Sequence, residues 1–392
     1  MKTVYLATAL RTPMGSFGGA LASLSAIDLG VSAVKSVLSR SGIPTDAIDE
    51  VILGNVVSAN LGQAPARQVA LGAGLGHQVP CTTINKVCSS GMKAVMWAAQ
   101  SIQLGQNEVV LAGGFESMSN IPYYVPKARF GYKFGGGQLV DGLERDGLQD
   151  AYDRVAMGLS ADQTAAELNI TREQQDEYTV RSYERAAART EEGRLGAEIA
   201  PVSIPQRRGE PVVMKTDEEY TRVKFEKIPS LRPVFSKEGT VTAANASTIN
   251  DGAAAMLVCS EEALKKYNLT PLARISGYAD AAREPMRFPL APTLATPKAL
   301  QRAGKSQREV DVYEVNEAFA MVPIAYAMQL DIDPSLINPN GGAVSLGHPL
   351  GMSGARIVGS LAHELALSGK SCGVAAICNG GGGASAMVLE RV

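Results

Sequence analysis

The segment at residues 85–114 reads NKVCSSGMKAVMWAAQSIQLGQNEVVLAGG and carries the strongest pattern in the chain. A cysteine stands at the start of a small-residue helix, and an apolar strand follows that ends in a glycine pair. The segment at 347–381 reads GHPLGMSGARIVGSLAHELALSGKSCGVAAICNGG and repeats this order, with a histidine in place of the cysteine. Two segments with the same order of features indicate an internal duplication.

Short apolar runs alternate with helical stretches on both sides of these segments. Helices are predicted at 26–41 and 90–104, each ended by a glycine, and strands at 4–9, 50–54, 109–112, 254–259, 312–315, 374–377 and 384–389. This alternation, together with the duplication, predicts an α/β fold of two similar halves. The predicted units are an N-terminal half at 1–120 plus about 241–268, an inserted loop domain at 121–240 and a C-terminal half at 269–392.

Composition favours a globular protein without nucleic-acid or membrane partners. Of 392 residues, 45% are hydrophobic and 19% charged, and the net charge of −2 creates no field that would attract a polyanion. No stretch approaches the roughly 18 apolar residues of a membrane span. Five cysteines, an odd number, indicate reduced thiols, and the first residues resemble neither a signal nor a transit peptide. We therefore expect a cytoplasmic protein, although a mature mitochondrial protein would look the same.

Cys88 is a candidate nucleophile because it lies just before the predicted helix start. Free backbone N–H groups and the positive end of the helix dipole favour a thiolate there and predict a lowered thiol pKa. The alternative is a small buried hydrophobic side chain, which describes most cysteines.

His348 is the best candidate for a general base among three histidines. Glycine-rich segments flank it, so backbone can approach a ligand closely there. A histidine that only satisfies its own loop is the alternative. His363 is predicted to lie on a helix surface, and His77 to be exposed after a glycine-rich turn.

Two further candidates follow predicted strands. Cys378 precedes Asn379 and four glycines, whose unshielded N–H groups can face an oxyanion, although a flexible turn has the same composition. Asn316 stands at the carboxyl end of a strand, where open α/β sheets bind ligands, or it caps a helix. The cysteines and histidines lack the paired spacing of a zinc-type site.

Taken together, the motifs CSSG (88–91), GGFESMS (113–119), NEAF (316–319), GHP (347–349) and CNGGGG (378–383) resemble the thiolase family over the whole chain. The similarity is greatest to the members that act on acetoacetyl-coenzyme A (acetoacetyl-CoA). The resemblance implies that the two α/β halves pack in α-β-α-β-α layers. The resemblance implies a reversible, ping-pong Claisen condensation of two acetyl-CoA molecules to acetoacetyl-CoA and CoA, without a tightly bound cofactor. Thiolysis of 2-methylacetoacetyl-CoA or another short 3-ketoacyl-CoA is the alternative within the family.

The resemblance also implies a role for each site residue. Cys88 would carry the acyl group, and His348 would accept its proton and, with Asn316 acting through a water, polarise the second thioester. Cys378 would act as acid and base at the α-carbon, and the N–H groups of Cys88 and Gly380 would form an oxyanion hole.

The family's coenzyme A contacts, acyl pocket and potassium ligands fall on further positions. The implied coenzyme A contacts are Leu148, Met157, Tyr183, Arg222, Val223, Lys224, Lys227, Phe235, Ala243, Ser247, Ile249, Ala318 and Phe319. The implied acyl pocket includes Phe288 and Pro289. Potassium would lie at Tyr183, Ala243, Ala244, Ala246 and Val344. By composition alone, the basic run at 222–227 would more simply be a solvated surface.

Two positions depart from the family pattern, and the family implies an assembly. Ala156 stands where many relatives have a histidine, and Ser89 where they often have glycine or alanine. The resemblance implies a homotetramer, a dimer of dimers assembled through a loop near 123–140.

Three other functions are less consistent with the sequence. Condensing synthases of the same fold lack a second cysteine in the role of Cys378, and a non-catalytic acyl-lipid carrier on this scaffold would need none of the four motif residues. A thiol redox protein would carry a Cys-x-x-Cys pair, and the sequence has none.

Overall fold

The computed structural model describes residues 2–392; Met1, the first residue of the predicted N-terminal half, lies outside the described residues. The strands are β1 (Val4–Arg11), β2 (Gly15–Ser16), β3 (Glu50–Gly54), β4 (Cys81–Ile84), β5 (Val109–Ser117), β6 (Tyr123–Tyr124), β7 (Val140–Asp141), β8 (Val202–Ile204), β9 (Val212–Met214), β10 (Asn250–Ser260), β11 (Ala273–Ala282), β12 (Val312–Val315), β13 (Cys372–Asn379) and β14 (Gly383–Glu390). The α-helices are α1 (Ala26–Ser41), α2 (Pro65–Gly72), α3 (Ser90–Gln103), α4 (Met157–Glu167), α5 (Arg172–Glu191), α6 (Glu261–Lys266), α7 (Pro292–Ala303), α8 (Met321–Leu330), α9 (Ala343–Leu346) and α10 (Leu350–Ser368).

One mixed sheet runs through both halves. Its strand order is β12-β13-β14-β11-β1-β10-β5-β3-β4, and β2 pairs with β10. The two halves meet where β1 pairs antiparallel with β11, with Val4 opposite Ile275. The pairing continues through Tyr5 opposite Arg274 to Leu6 opposite Ala273, so a short stretch of strand pairing joins the two halves.

The pairing pattern repeats on the two sides of the β1–β11 junction. In the N-terminal half β3 is parallel to β5, and β5 and β1 are antiparallel to β10. In the C-terminal half β12 is parallel to β13, and β13 and β11 are antiparallel to β14. A parallel bridge between Tyr313 and Ile337 stands where β4 pairs with β3. The two halves therefore share one order of strand pairing, as expected for an internal duplication. The unit boundaries given above remain our proposal.

Helices α3 and α10 lie in the middle layer and pack against each other. Their apolar side chains, with Met96 and Ile357 among them, form one core with the inner face of the sheet. Helices α1 and α2 cover the outer face of the N-terminal half, and α7 and α8 cover that of the C-terminal half. The predicted α-β-α-β-α layering is therefore confirmed.

The predicted helix at 26–41 coincides with α1, which ends at Gly42 with φ 66°. Strands β4 and β11 were not predicted, and β5 runs on to Ser117, so the glycine pair lies inside this strand and not at its end. A Cβ on Gly114 would collide with the carbonyl oxygen of Gly351, and one on Gly113 with that of Ala254. These glycines thus allow neighbouring backbone to approach the strand closely, whereas the sequence suggested that the strand ends at them.

The predicted loop domain at 121–240 contains more regular structure than its polar sequence indicated. It includes α4, the 20-residue helix α5, and the hairpins β6–β7 and β8–β9. A capping box between Thr171 and Gln174 starts α5. No helix within residues 2–392 is both long and apolar enough to cross a bilayer.

Candidate active site

Cys88 lies in the turn between β4 and α3. The turn requires a left-handed backbone at Val87, with φ 48°, which is unusual for a β-branched residue. Its hydrogen bonds hold this conformation: Asn85 Oδ1 accepts from the Val87 N–H at 2.9 Å, and Ser90 Oγ donates to the Val87 carbonyl at 2.6 Å. Helix α3 begins at Ser90, as predicted.

Cys88 is half-buried and lines a small cavity. Burial raises the pKa of its thiol to about 12, although the N–H groups of Gly380 and of Cys88 itself point to the sulfur and oppose this rise. The prediction of a lowered thiol pKa is therefore wrong, because desolvation outweighs the helix N-terminus. At neutral pH the group is a thiol and needs a base to become a nucleophile.

His348 stands between α9 and α10. It follows Gly347, whose φ of 115° and contact with the Asn250 side chain exclude a larger residue, and Asn250 Oδ1 accepts from the His348 N–H at 2.9 Å. Its Nδ1 lies 2.6 Å from Ser353 Oγ, which donates to the Pro349 carbonyl at 2.8 Å. Ser353 Oγ therefore accepts a hydrogen bond from the Nδ1–H group of His348, which leaves the ring's lone pair on Nε2.

Nε2 of His348 is buried and has no hydrogen-bond partner among the described residues. Burial, helped by the nearby positive charge of Arg356, lowers the pKa of this imidazole to about 3. The ring is thus neutral at rest and presents a free proton acceptor to the cavity that Cys88 also lines.

Cys378 and Asn316 lie deeper than these two residues. Burial raises the pKa of the Cys378 thiol well above its usual value, and the proximity of Cys88 raises it further, so the two sulfurs are electrostatic neighbours. Asn316 is fully buried after β12, and within residues 2–392 neither its Oδ1 nor its Nδ2 has a hydrogen-bond partner. A buried amide without protein partners is suited to hold a water.

Two adjoining cavities connect this site to the surface. The outer one, of about 360 Å³, opens between α4, the 246–249 segment and the start of α10. The inner one, of about 60 Å³, reaches Cys88, Gly380 and Phe288. The residues implied as coenzyme A contacts that line one or both cavities are Leu148, Met157, Phe235, Ser247, Ile249, Ala318 and Phe319.

Other predicted contacts lie outside these cavities. Among the described residues, Pro289, Tyr183, Ala243 and the 222–227 run do not line either of them. Arg222, Lys224 and Lys227 are exposed, and Arg222 lies 3.7 Å from Glu218.

The residues implied as potassium ligands gather around Tyr183. Its ring packs with Val344 and Ala320, and Val223 lies against the same cluster. The Ala320 N–H donates to the Asn245 carbonyl at 2.7 Å, which brings the 243–246 turn beside this cluster.

Several residues that hold the site were missed in the sequence. Glu116 accepts hydrogen bonds from the N–H groups of Val56, Val57 and Gly351 and so ties β5 to the start of α10. Burial raises its pKa to about 7, although these N–H groups oppose the rise. The only sequence feature that could have pointed to Glu116 is an acidic residue that follows a glycine pair within an apolar run. The contacts of Asn250 and Ser353 with His348 had no local signal.

Family models match nearly the whole chain: residues 4–262 match the thiolase N-terminal domain, and residues 269–391 match the thiolase C-terminal domain. The chain belongs to the thiolase family. The acetyl-CoA acetyltransferase of Schizosaccharomyces pombe is 54% identical to this thiolase over 390 residues, which cover 99% of each chain. The mitochondrial acetyl-CoA acetyltransferase of Bos taurus is 52% identical over 393 residues, covering 100% of this chain and 92% of that protein.

A solved structure is also similar along its whole length. The crystal structure of the Acat5 thiolase from Ascaris suum in complex with coenzyme A superimposes with a TM-score of 0.94 and 47% sequence identity, covering 100% of both chains. The predicted family, fold and enzyme class, an acyltransferase of the thiolase family, are confirmed by these comparisons.

Proposed function

We propose that this thiolase is an acetyl-CoA acetyltransferase, which condenses two acetyl-CoA molecules to acetoacetyl-CoA and CoA and also runs the reverse thiolysis. The observation that carries the proposal is that Cys88 lines the same small cavity as His348, whose Nε2 is free, while the thiol of Cys378 from the opposite half lies near the Cys88 sulfur. Full-length relatives named acetyl-CoA acetyltransferase support this substrate.

In the first half-reaction, Cys88 Sγ attacks the thioester carbonyl of acetyl-CoA while its proton passes to His348 Nε2. The raised pKa of the thiol and the free imidazole nitrogen support this transfer. The carbonyl oxygen becomes an oxyanion, which the N–H groups of Cys88 and Gly380 would stabilise. As the tetrahedral intermediate collapses, the CoA thiolate leaves with the proton of Cys378, and acetyl-Cys88 remains.

In the second half-reaction, the Cys378 thiolate removes an α-proton from the second acetyl-CoA. The protonated His348 and a water held by Asn316 would stabilise the enolate oxygen; the unpaired amide of Asn316 supports the water. The α-carbon then attacks the carbonyl of acetyl-Cys88, acetoacetyl-CoA forms, and the departing Cys88 sulfur regains its proton from His348. Each residue returns to its starting protonation state.

The cavities support a short acyl group on a long pantetheine arm. The outer cavity is mainly apolar, as the neutral arm requires, and Met157, Phe288 and Phe319 close the inner cavity around a small volume. The exposed cations at 222, 224 and 227 would meet the phosphates of the nucleotide. Longer or 2-methyl-branched ketothioesters are not favoured by so small an inner cavity.

A potassium ion fits the turn at 243–246. The carbonyl oxygens of Ala243 and Ala244 accept no backbone hydrogen bond among the described residues, and carbonyl oxygens are the donors that a hard monovalent cation prefers. Tyr183, Ala243, Ala244, Ala246 and Val344 would hold it. When bound, the ion would stiffen the Ser247 side of the coenzyme A cavity. Turnover in potassium chloride should then exceed turnover in sodium chloride, and Tyr183→Phe should reduce this difference.

We further propose a cytoplasmic homotetramer, organised as a dimer of dimers. Apolar side chains exposed near 123–139 support an assembly surface. One relative is mitochondrial, so fluorescence microscopy of the tagged full chain in its own cells is the test of compartment.

The activity is tested by incubating the protein with acetoacetyl-CoA and CoA and following loss of the ketothioester. We expect Cys88→Ala to abolish turnover, whereas Cys378→Ser should still become acetylated by acetyl-CoA but condense at least 100-fold more slowly. Cys81→Ala, at a half-buried cysteine on β4, is the matched control and should retain full activity. Wild-type activity in Cys88→Ala would contradict the nucleophile assignment.

A further inference from the structure

The nucleophile turn and the glycine turn after β13 are joined by a hydrogen-bond network that the mechanism above does not use. Ser89 Oγ donates to Asn379 Oδ1 at 2.9 Å, and Lys86 Nζ donates to the same oxygen at 3.2 Å. Asn379 Nδ2 donates in turn to the carbonyl of Gly380 at 2.9 Å. Two residues that flank Cys88 therefore hold the residue that precedes Gly380.

The amide of Asn379 has one possible orientation in this network. Its oxygen faces two donors, the Ser89 hydroxyl and the Lys86 ammonium, and its nitrogen faces a carbonyl. Ser89 is fully buried and Asn379 is 6% exposed, so water competes little for these bonds.

Lys86 is itself anchored to the C-terminal half. Its Nζ donates to Ser385 Oγ at 2.8 Å and to the Ala384 carbonyl at 3.1 Å, and it pairs with Asp280 Oδ1 at 3.1 Å. Burial lowers its pKa, and the nearby Asp280 carboxylate opposes this effect. Lys86 is thus committed to several partners, whereas the Ser89 hydroxyl donates to Asn379 alone.

We propose that Ser89 is a positioning residue that acts through Asn379 to set the spacing between the N–H groups of Cys88 and Gly380. These two donors come from opposite halves of the chain, and both point to the Cys88 sulfur. Their separation determines how well they match an oxyanion at the acyl carbon. The inference rests on the proposed function, since it concerns the acylation step.

The test compares Ser89→Ala with wild type in single-turnover acetylation of Cys88 by acetyl-CoA, followed by intact-protein mass spectrometry. Loss of a whole oxyanion-hole donor costs about 100-fold or more, so a misplaced donor should slow acetylation by roughly tenfold. The KM for acetyl-CoA should stay within about twofold, because the coenzyme contacts are untouched. Ser101→Ala is the matched control: Ser101 is a buried serine on α3, the helix that follows Ser89, and its hydroxyl accepts a hydrogen bond from Asn107, so its variant should acetylate at the wild-type rate.

A second variant separates positioning from general loss of structure. In an Asn379→Ala background, Ser89→Ala should have no further effect on the acetylation rate, because Ser89 acts through Asn379. A wild-type rate in Ser89→Ala, or an equal loss in both backgrounds, would overturn the inference. If Asn379→Ala does not fold, the comparison of Ser89→Ala with Ser101→Ala decides alone. Absence of acetylation in wild type would instead overturn the proposed function itself.

Discussion

At the scale of single residues, the site is a pair of groups that are both neutral at rest. Burial raises the thiol pKa of Cys88 to about 12 and lowers the imidazole pKa of His348 to about 3. The ion pair that would make a cysteine reactive before substrate arrives is therefore disfavoured. In the proposed mechanism, the thiol would lose its proton to the imidazole only as the thioester carbonyl takes up negative charge beside the N–H groups of Cys88 and Gly380.

The buried imidazole makes stability depend on pH in a defined direction. The folded-state pKa of His348 is about 3 and the unfolded value is about 6.5, so between these values the unfolded chain binds more protons. Stability from this group is complete above about pH 6.5 and falls as pH decreases. His348→Asn has no such group, so wild type should lose up to about 1.4 kcal/mol per pH unit relative to the variant.

Urea unfolding of both proteins between about pH 7 and pH 5, at one protein concentration, measures this difference. Equal pH dependence in wild type and His348→Asn would mean that His348 is solvated in the folded state. His77, which is exposed, supplies the control: His77→Asn should follow the wild-type curve.

At the scale of elements, the approach of α3 and α10 places the two reactive residues. Both helices start next to a site residue, Cys88 for α3 and His348 for α10. Their backbones meet at Gly91 and Gly354: a Cβ on Gly354 would lie 2.5 Å from the Met92 N. The backbones of α3 and α10 can therefore approach each other this closely only because glycine stands at the crossing.

Adding one methyl group at this crossing should separate the helices. We expect Gly354→Ala to lower the free energy of unfolding by about 1–3 kcal/mol and to reduce turnover, because His348 moves with the start of α10. Gly359→Ala, one turn and a half further along α10, is the control. Its Cβ would lie 3.5 Å from that of Ala9, an ordinary contact, so the variant should be stabilised by up to about 1 kcal/mol.

Thermal unfolding and the thiolysis assay, run side by side on the two glycine variants, check this contrast. If the free energy of unfolding changed in the same direction in both variants, the effect would come from helix propensity or from the overall packing of α10, and not from its crossing with α3. The two substitutions change the helix propensity by the same amount, so the crossing accounts for any difference.

At the scale of the whole molecule, the segment near 123–139 carries several large apolar side chains that are exposed to solvent. Phe134 is fully exposed and Phe130 is 85% exposed, next to the exposed Tyr123 and Leu139. A cluster of this kind is typical of a surface covered by another subunit. Strands β6 and β7 at the ends of this segment form a two-stranded sheet separate from the main sheet.

A double variant, Phe130→Asp with Phe134→Asp, should therefore convert the proposed tetramer into dimers, since four or more carboxylates would be buried unpaired in the assembly. Light scattering after size-exclusion chromatography measures the mass. Leu367→Asp, at an exposed leucine near the end of α10, is the control and should remain tetrameric. A tetramer in the double variant, or a dimer in wild type, would contradict the proposed assembly surface.

Much of the fold and of the candidate site follows from local patterns in the chain. Helix α1 and its stop at Gly42, the strands before Asn316 and after Gly373, and the start of α3 beside Cys88 all have signals within a few residues. Strand β11, which joins the two halves, has a weak local signal because its buried positions are mostly alanine and glycine, which have low strand propensity. The glycine pair in β5 was misread, because a glycine that ends a strand and one that admits a neighbouring backbone look the same in sequence.

The sequence by itself determined the α/β class, the family and the candidate reactive side chains. Only the tertiary structure decided their state: burial reversed the expected sign of the Cys88 pKa shift, and Ser353 left Nε2 of His348 as the free nitrogen. The link from Ser89 to Asn379 likewise spans 290 residues. The physical reason is that propensity and periodicity act between near neighbours, whereas desolvation and long-range hydrogen bonds depend on which distant segments pack together.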